Sequence, residues 1–249
     1  MQLSDTKNII GIVGGLGPLA GVLLQKYIIE ATPANRDQDH FSVITYTNPQ
    51  IPDRTTSLLG PKKGLDFAEE IIKTIGILEQ AGASIIGIPC NTAHARYEII
   101  QNACNIPVVN MVKEVVRLFD TENGSNIGLL ATDGTIASDV YQKSSLNTKW
   151  IIPNKLEQAL VMDTIYSIKA GRKPHIEAII NICNNLLFRG ADRIILGCTE
   201  LSIIQDALIK AKLPLLDSLR ILAKILINQT AQQATTSKIF TQKTLQVAT

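Results

Sequence analysis

The sequence predicts an α/β fold of two pseudo-symmetric lobes, each a parallel sheet with helices on both faces. Two observations predict it. Short runs of Ile, Val and Leu alternate with longer segments of helical period, the pattern of parallel strands buried on both sides. The chain also repeats itself weakly: Ala83–Thr92 aligns with Ala191–Glu200, Ile106–Asn110 with Leu213–Asp217, and Ile10–Val13 with Ile127–Leu130.

The elements follow in order. Ile9–Val13 is a short apolar run and reads as the first buried strand. Leu19–Ala31 is amphipathic and reads as the first helix. Ser42–Thr47 follows as a strand, then Leu65–Ala81 as a helix that Gly82 should stop. Ser84–Ile88 is a strand, Ala93–Cys104 a helical segment, Val108–Asn110 a short strand. The second lobe repeats the plan: strand Asn126–Leu130, helices Lys155–Ala170 and Ile176–Arg189, a stop at Gly190, and strand Arg193–Leu196. The expected division is a first lobe of residues 1–115 plus 215–228 and a second of 116–214. Residues 229–249, rich in Gln, Thr, Ser and Lys, read as a weakly ordered tail.

Composition narrows the class. With 249 residues and 45% hydrophobic content, a sizeable core can be buried. A net charge of +2 with 18% charged residues gives no electrostatic case for nucleic acid. The pairs Lys62-Lys63 and Arg172-Lys173 are isolated and read as solvated surface. No stretch is long and apolar enough to span a bilayer, and residues 1–8 lack the basic start and apolar run of a signal peptide. The expectation is a cytoplasmic protein with its four cysteines as thiols. No Cys-x2-Cys or nearby His pair points to a metal.

Cys90 and Cys198 occupy equivalent places in the repeat. Each ends a strand and precedes a helix start, with Thr92 and Thr199 available as caps. Ligands of parallel α/β folds bind beyond the carboxyl ends of strands. A helix N-terminus favours thiolate and can hold a carboxylate. A lone buried cysteine is usually a small hydrophobe, and Cys104 and Cys183, inside helical stretches, are read that way. Two thiols facing one another across a cleft suit a specific reaction. Inverting a carbon that bears hydrogen needs a base on one face and an acid on the other, with stabilisation of the charge that develops.

At these residues the chain resembles the aspartate/glutamate racemase superfamily, most closely its aspartate racemase branch. The matching pieces are Gly14–Pro18, Asn48–Thr55, Pro89–Ala93 and Gly197–Leu201, in the family's order, over residues 9–226. The resemblance implies an active site in the cleft between the two lobes and catalysis by Cys90 and Cys198 without pyridoxal phosphate, metal or other cofactor. It implies that Arg54 binds the side-chain carboxylate of the substrate, a task suited to a planar guanidinium, with Gln50 in the same loop and Lys169 as a second cation. Leu16 belongs to the Gly14–Pro18 piece and is carried over as a substrate contact. Asn91 and Thr92 would hold the α-carboxylate, joined by Thr199 and Thr132 from the other lobe. The implied partners are a small amino-acid substrate and a second copy in a homodimer.

Structural readings stand beside these. Arg54 could pair with Asp53 on the surface, Lys169 could offset a helix dipole, and the Asn and Thr residues could be caps alone. His94 reads as a helix-surface residue and Glu200 as an exposed residue of a first helical turn that could tune Cys198. Competing functions are a broader acidic amino-acid racemase, a non-catalytic amino-acid-binding protein and a dinucleotide-binding enzyme. The last rests on Gly15-Leu-Gly-Pro-Leu-Ala20, which fits G-x-G-x-x-A after a first strand. Asp37 and Asp39 lie before the second strand rather than at its end, and Pro18 removes an amide donor, so the fit is poor.

Overall fold

The computed structural model describes residues 8–60 and 66–247, with side chains as far as 233. Residues 1–7, the Lys62-Lys63 pair and Leu65 lie outside the described residues. Two all-parallel sheets form the centre. The first has the order β2-β1-β3, from β1 (Ile9–Gly14), β2 (Ser42–Thr47) and β3 (Ala83–Gly87). The second has the order β5-β4-β6-β7, from β4 (Ser125–Ala131), β5 (Thr148–Ile151), β6 (Arg193–Gly197) and β7 (Leu215–Asp217). Val108 makes a single parallel bridge to Ile86 on the outer side of β3. That bridge stands where β7 stands beside β6, so the strand orders correspond.

The helices of the first lobe are α1 (Pro18–Ala31), α2 (Arg54–Leu59), α3 (Phe67–Gln80), α4 (Tyr97–Asn102) and α5 (Met111–Val116). Those of the second are α6 (Asp133–Ala137), α7 (Lys155–Lys169), α8 (Ile176–Phe188) and α9 (Gln205–Lys210). Pro18 opens α1, where its missing N–H costs nothing. Asn154 and Glu157 form a capping box on α7. Gly82 and Gly190, both at φ +97°, turn the chain from α3 into β3 and from α8 towards β6.

The last helix, α10 (Ser218–Val247), packs on α1 and α5 and takes helix through most of the segment expected as a weakly ordered tail. One core is common to both sheets. Ile10 and Ile12 of β1, Ile127 and Leu129 of β4, and Ile195 of β6 meet Leu219, Leu222 and Leu226 of α10. Each such side chain contributes about 1.5–3 kcal/mol by leaving water, so the lobes are stabilised together.

Four expectations need correction. Leu215–Asp217, assigned to the first lobe, is the edge strand of the second sheet. Val108–Asn110 is a single bridge because Asn110 turns out to cap α5, accepting from Lys113 N at 3.0 Å. Ala93–Cys104 is not one helix. A 3-10 turn, Thr92–Arg96, leads into α4 because Arg96 departs from helical geometry. β5, with Trp150 packed on Tyr141 and Phe119, was not expected at all. Among the described residues no helix is long and apolar enough to cross a membrane.

Candidate active site

The carboxyl ends of β3 and β6 face each other, and each runs within three residues into a cysteine. Cys90 and Cys198 are buried free thiols that line one cavity. The same cavity is lined by Leu16, Arg54, Asn91, Thr92, Thr132, Lys169 and Thr199, all expected there, and by Asp53, Thr55 and Glu200, which were not. Gln50 is left out. The turn before it closes when Gln50 N donates to Asn48 Oδ1 at 3.1 Å, and its side chain stays on the exposed outer face. The cavity is narrow, about 10 Å³, room for a single water.

The two cysteine turns are tied to each other. Thr199 Oγ1 donates to the carbonyl of Pro89 at 3.1 Å. Tyr141 Oη donates to Asn91 Oδ1 at 2.6 Å, Asn91 Nδ2 to Ser218 Oγ at 3.0 Å, and Ser218 Oγ to the carbonyl of Leu196 at 2.7 Å. Both polar atoms of the Asn91 side chain are therefore engaged by the scaffold. The hydroxyls of Thr92, Thr132 and Thr135 form a buried cluster at 2.8–3.0 Å from one another, and Thr132 also caps α6.

Arg54 is only 6% exposed and does not pair with Asp53 as a surface residue would. It donates to the carbonyls of Leu16, Ile51 and Pro52, while its Nε is buried without a partner. Asp53 instead caps α2 through Thr56 N at 2.8 Å and lies 3.8 Å from Lys169 Nζ. Burial works to lower the Lys169 pKa, but the Glu200 carboxylate and Cys198 outweigh it, and the ammonium is held more firmly than usual.

Glu200 is 4% exposed, not a surface residue. Cys198 Sγ donates to its Oε2 at 3.0 Å. A Cβ at Gly17 would stand 2.7 Å from its other oxygen, so a side chain there would push the Glu200 carboxylate aside. Burial first, then Glu200, pushes the Cys198 thiol well above the ordinary cysteine range, with Lys169 opposing. This corrects the expectation of thiolate at both helix starts: Cys198 leads into a 3-10 turn beside a carboxylate. The glycine-rich turn after β1 is likewise filled by protein. A Cβ at Gly15 would meet the backbone of Asn48 at 2.2 Å, so Gly15 serves packing and not a pyrophosphate.

His94 is also buried, at 4% exposure, against the expectation of a surface residue. Only its position four residues after Cys90, on the face of the turn that meets the core, could have signalled this.

Fold and cavity together define an α/β enzyme with two thiols at opposed strand ends. The family model for Asp/Glu/hydantoin racemases matches residues 13–226, and the chain belongs to that family. It is an amino-acid racemase. The chain is 30% identical over 223 residues to the broad specificity amino-acid racemase RacX of Bacillus subtilis, a match covering 86% of this chain and 95% of that one. Among solved structures, Picrophilus torridus aspartate racemase is similar with a TM-score of 0.80 and 29% identity, over 90% of this chain and 94% of that one. Glutamate racemase from Francisella tularensis shares the fold, with a TM-score of 0.67 and 22% identity over 92% and 83% of the two chains.

Proposed function

We propose that the protein racemises aspartate by moving a proton between the two faces of Cα with Cys90 and Cys198. The observation that carries this reading is that both thiols line one narrow cavity together with a buried arginine whose Nε lacks a partner. An unpaired polar atom of a buried cation is costly unless a ligand completes it, and a carboxylate fits a guanidinium. The substrate side-chain carboxylate meets Arg54, with Lys169 nearby. The α-carboxylate meets the turns at Asn91, Thr92 and Thr199.

The Glu200 contact favours Cys198 as the resting thiol, so Cys90 takes the α-proton as thiolate. Cys198 then returns a proton to the opposite face, and the roles exchange in the reverse direction. The backbone amides of the two cysteine turns offset the charge that develops on the α-carboxylate. The similarity to a broad specificity racemase supports a second reading, in which glutamate or other amino acids are also accepted.

The test is incubation of the purified protein with each aspartate enantiomer in D2O, with chiral separation and mass analysis. Interconversion with deuterium at Cα is expected. No exchange with any acidic amino acid would overturn the reading, and activity confined to another amino acid would overturn the substrate alone. Cys90→Ala and Cys198→Ala should each abolish racemisation; full activity in either rules out the two-thiol mechanism.

A further inference from the structure

The backbone of Cys90 is held from several sides. Its N–H donates to the carbonyl of Ile88 at 2.8 Å, and the carbonyl before it, of Pro89, accepts from Thr199. Its own carbonyl accepts from the ring of His94, where Nδ1 lies 2.8 Å away. The ring's other nitrogen, Nε2, lies 3.1 Å from the backbone N–H of Met111, the first residue of α5. An N–H can only donate, so Nε2 is the acceptor and the proton sits on Nδ1. The carbonyl of Val109, 3.3 Å from Nε2, is then a neighbour and not an acceptor for it. The imidazole is locked in one neutral tautomer, stacked on Tyr97, whose hydroxyl donates to Val108 O at 3.0 Å.

The other lobe shows what is special here. Ser202 stands four residues after Cys198, as His94 stands four after Cys90. Ser202 Oγ donates to Asp217 Oδ1 at 2.7 Å, at the start of α10, as His94 reaches the start of α5. Both residues thus tie a cysteine turn to the next helix. Only His94 also reaches back to its cysteine, since the carbonyl of Cys198 accepts from Leu201 N at 3.0 Å.

We infer that His94 is a positioning residue for Cys90. It does not line the cavity; it fixes the peptide that follows Cys90 and so the direction in which Sγ enters the cleft. A thiol that must meet Cα on one face depends on that direction, and a misplacement of about 1 Å can cost about a hundredfold in rate. The inference rests on the two-thiol reading above.

The test compares three variants. In His94→Asn the amide nitrogen can replace Nδ1 and still donate to the Cys90 carbonyl. His94→Gln can replace Nε2 and still accept from Met111, but leaves that carbonyl unserved. His94→Leu does neither. Expected for Gln and Leu is a fall in kcat of about tenfold to a hundredfold with KM within about threefold. Asn recovers about tenfold over Leu. A second readout needs no turnover: iodoacetamide labelling of both thiols in one sample, read by peptide mass spectrometry. The ratio of Cys90 to Cys198 labelling should rise about fivefold or more in Gln and Leu as the Cys90 turn loosens.

If the Leu variant does not fold, the Asn and Gln pair decides. If the wild type racemises nothing, the labelling ratio still decides the role of His94. Wild-type kcat and an unchanged labelling ratio in the Gln variant, with only its melting temperature lowered, would overturn the inference. So would rescue by Gln in place of Asn.

Discussion

The thiol of Cys198 donates to Oε2 of Glu200 at 3.0 Å, while the equivalent place two residues after Cys90 is held by Thr92. The lobes share a plan, but the two sulfurs stand in different electrostatic settings. Glu200→Gln removes the second largest influence, after burial, that pushes the Cys198 thiol up. Below its pKa a thiol gains about tenfold in thiolate for each unit the pKa falls. Alkylation of Cys198 at pH 8 should therefore be faster in this variant than in the wild type, with Cys90 labelled at its wild-type rate. Mass spectrometry of the labelled peptides checks it, and an unaltered Cys198 rate would show that the carboxylate does not hold the proton there.

Arg54→Lys keeps a positive charge but gives up the planar fork and the reach to three backbone carbonyls. A hydrogen bond to a charged group contributes about 1.5–3 kcal/mol. kcat/KM for aspartate should fall by about tenfold to a hundredfold, and turnover of a neutral amino acid, where present, should change far less. Equal losses on both substrates would remove Arg54 from side-chain recognition.

Gly134→Ala puts a methyl group 2.9 Å from Thr55 Cα and 3.0 Å from Thr92 Cγ2, at the contact between α6 and α2. Overpacking of this kind costs about 1–3 kcal/mol. The melting temperature should drop and substrate should protect less against unfolding than in the wild type, because the covered cavity can no longer close. Thermal denaturation with and without aspartate measures both. A melting temperature equal to the wild type would mean that α2 gives way freely.

Burial lowers the pKa of His94 below its ordinary value of 6.5, outweighing the nearby carbonyls of Cys90 and Val109. The unfolded chain therefore binds a proton that the folded chain refuses, and folding stability rises with pH across that interval. Stability should fall as pH drops below 6.5 and fall further until the folded-state pKa is reached. Urea denaturation between pH 7.5 and 5 should show a shallower loss for His94→Asn, which has no group to titrate there. Parallel curves would place the acid sensitivity elsewhere.

Much of this was legible in the sequence for physical reasons. Buried parallel strands must be apolar throughout, so β1, β3, β4 and β6 stood out as Ile/Val/Leu runs. Cys90 and Cys198 stood out because duplication placed them alike. What the sequence hid depends on contacts between distant residues. Nothing local marks Glu200 as buried against Gly17, or His94 as bonded to Met111. β5 was missed because Thr-Lys-Trp-Ile is an edge strand with one wet face, which breaks the apolar run. The second helix of the first lobe's cysteine segment was run together with the turn before it, since helical spacing persists through Arg96 while the backbone does not.

The bonds from Thr199 to Pro89 and from Asn91 through Ser218 to Leu196 join the lobes at the floor of the cleft. An amino acid does not fit a space of about 10 Å³, so the cleft must widen to take one in. Widening at the floor would break several buried hydrogen bonds at once, whereas parting α2 from α6 breaks mainly contacts at the rim. The molecule is thus built like a pair of tongs riveted beside its two sulfurs. Jaws that swung about such a rivet would admit and release a small molecule while the spacing of Cys90 and Cys198 was kept.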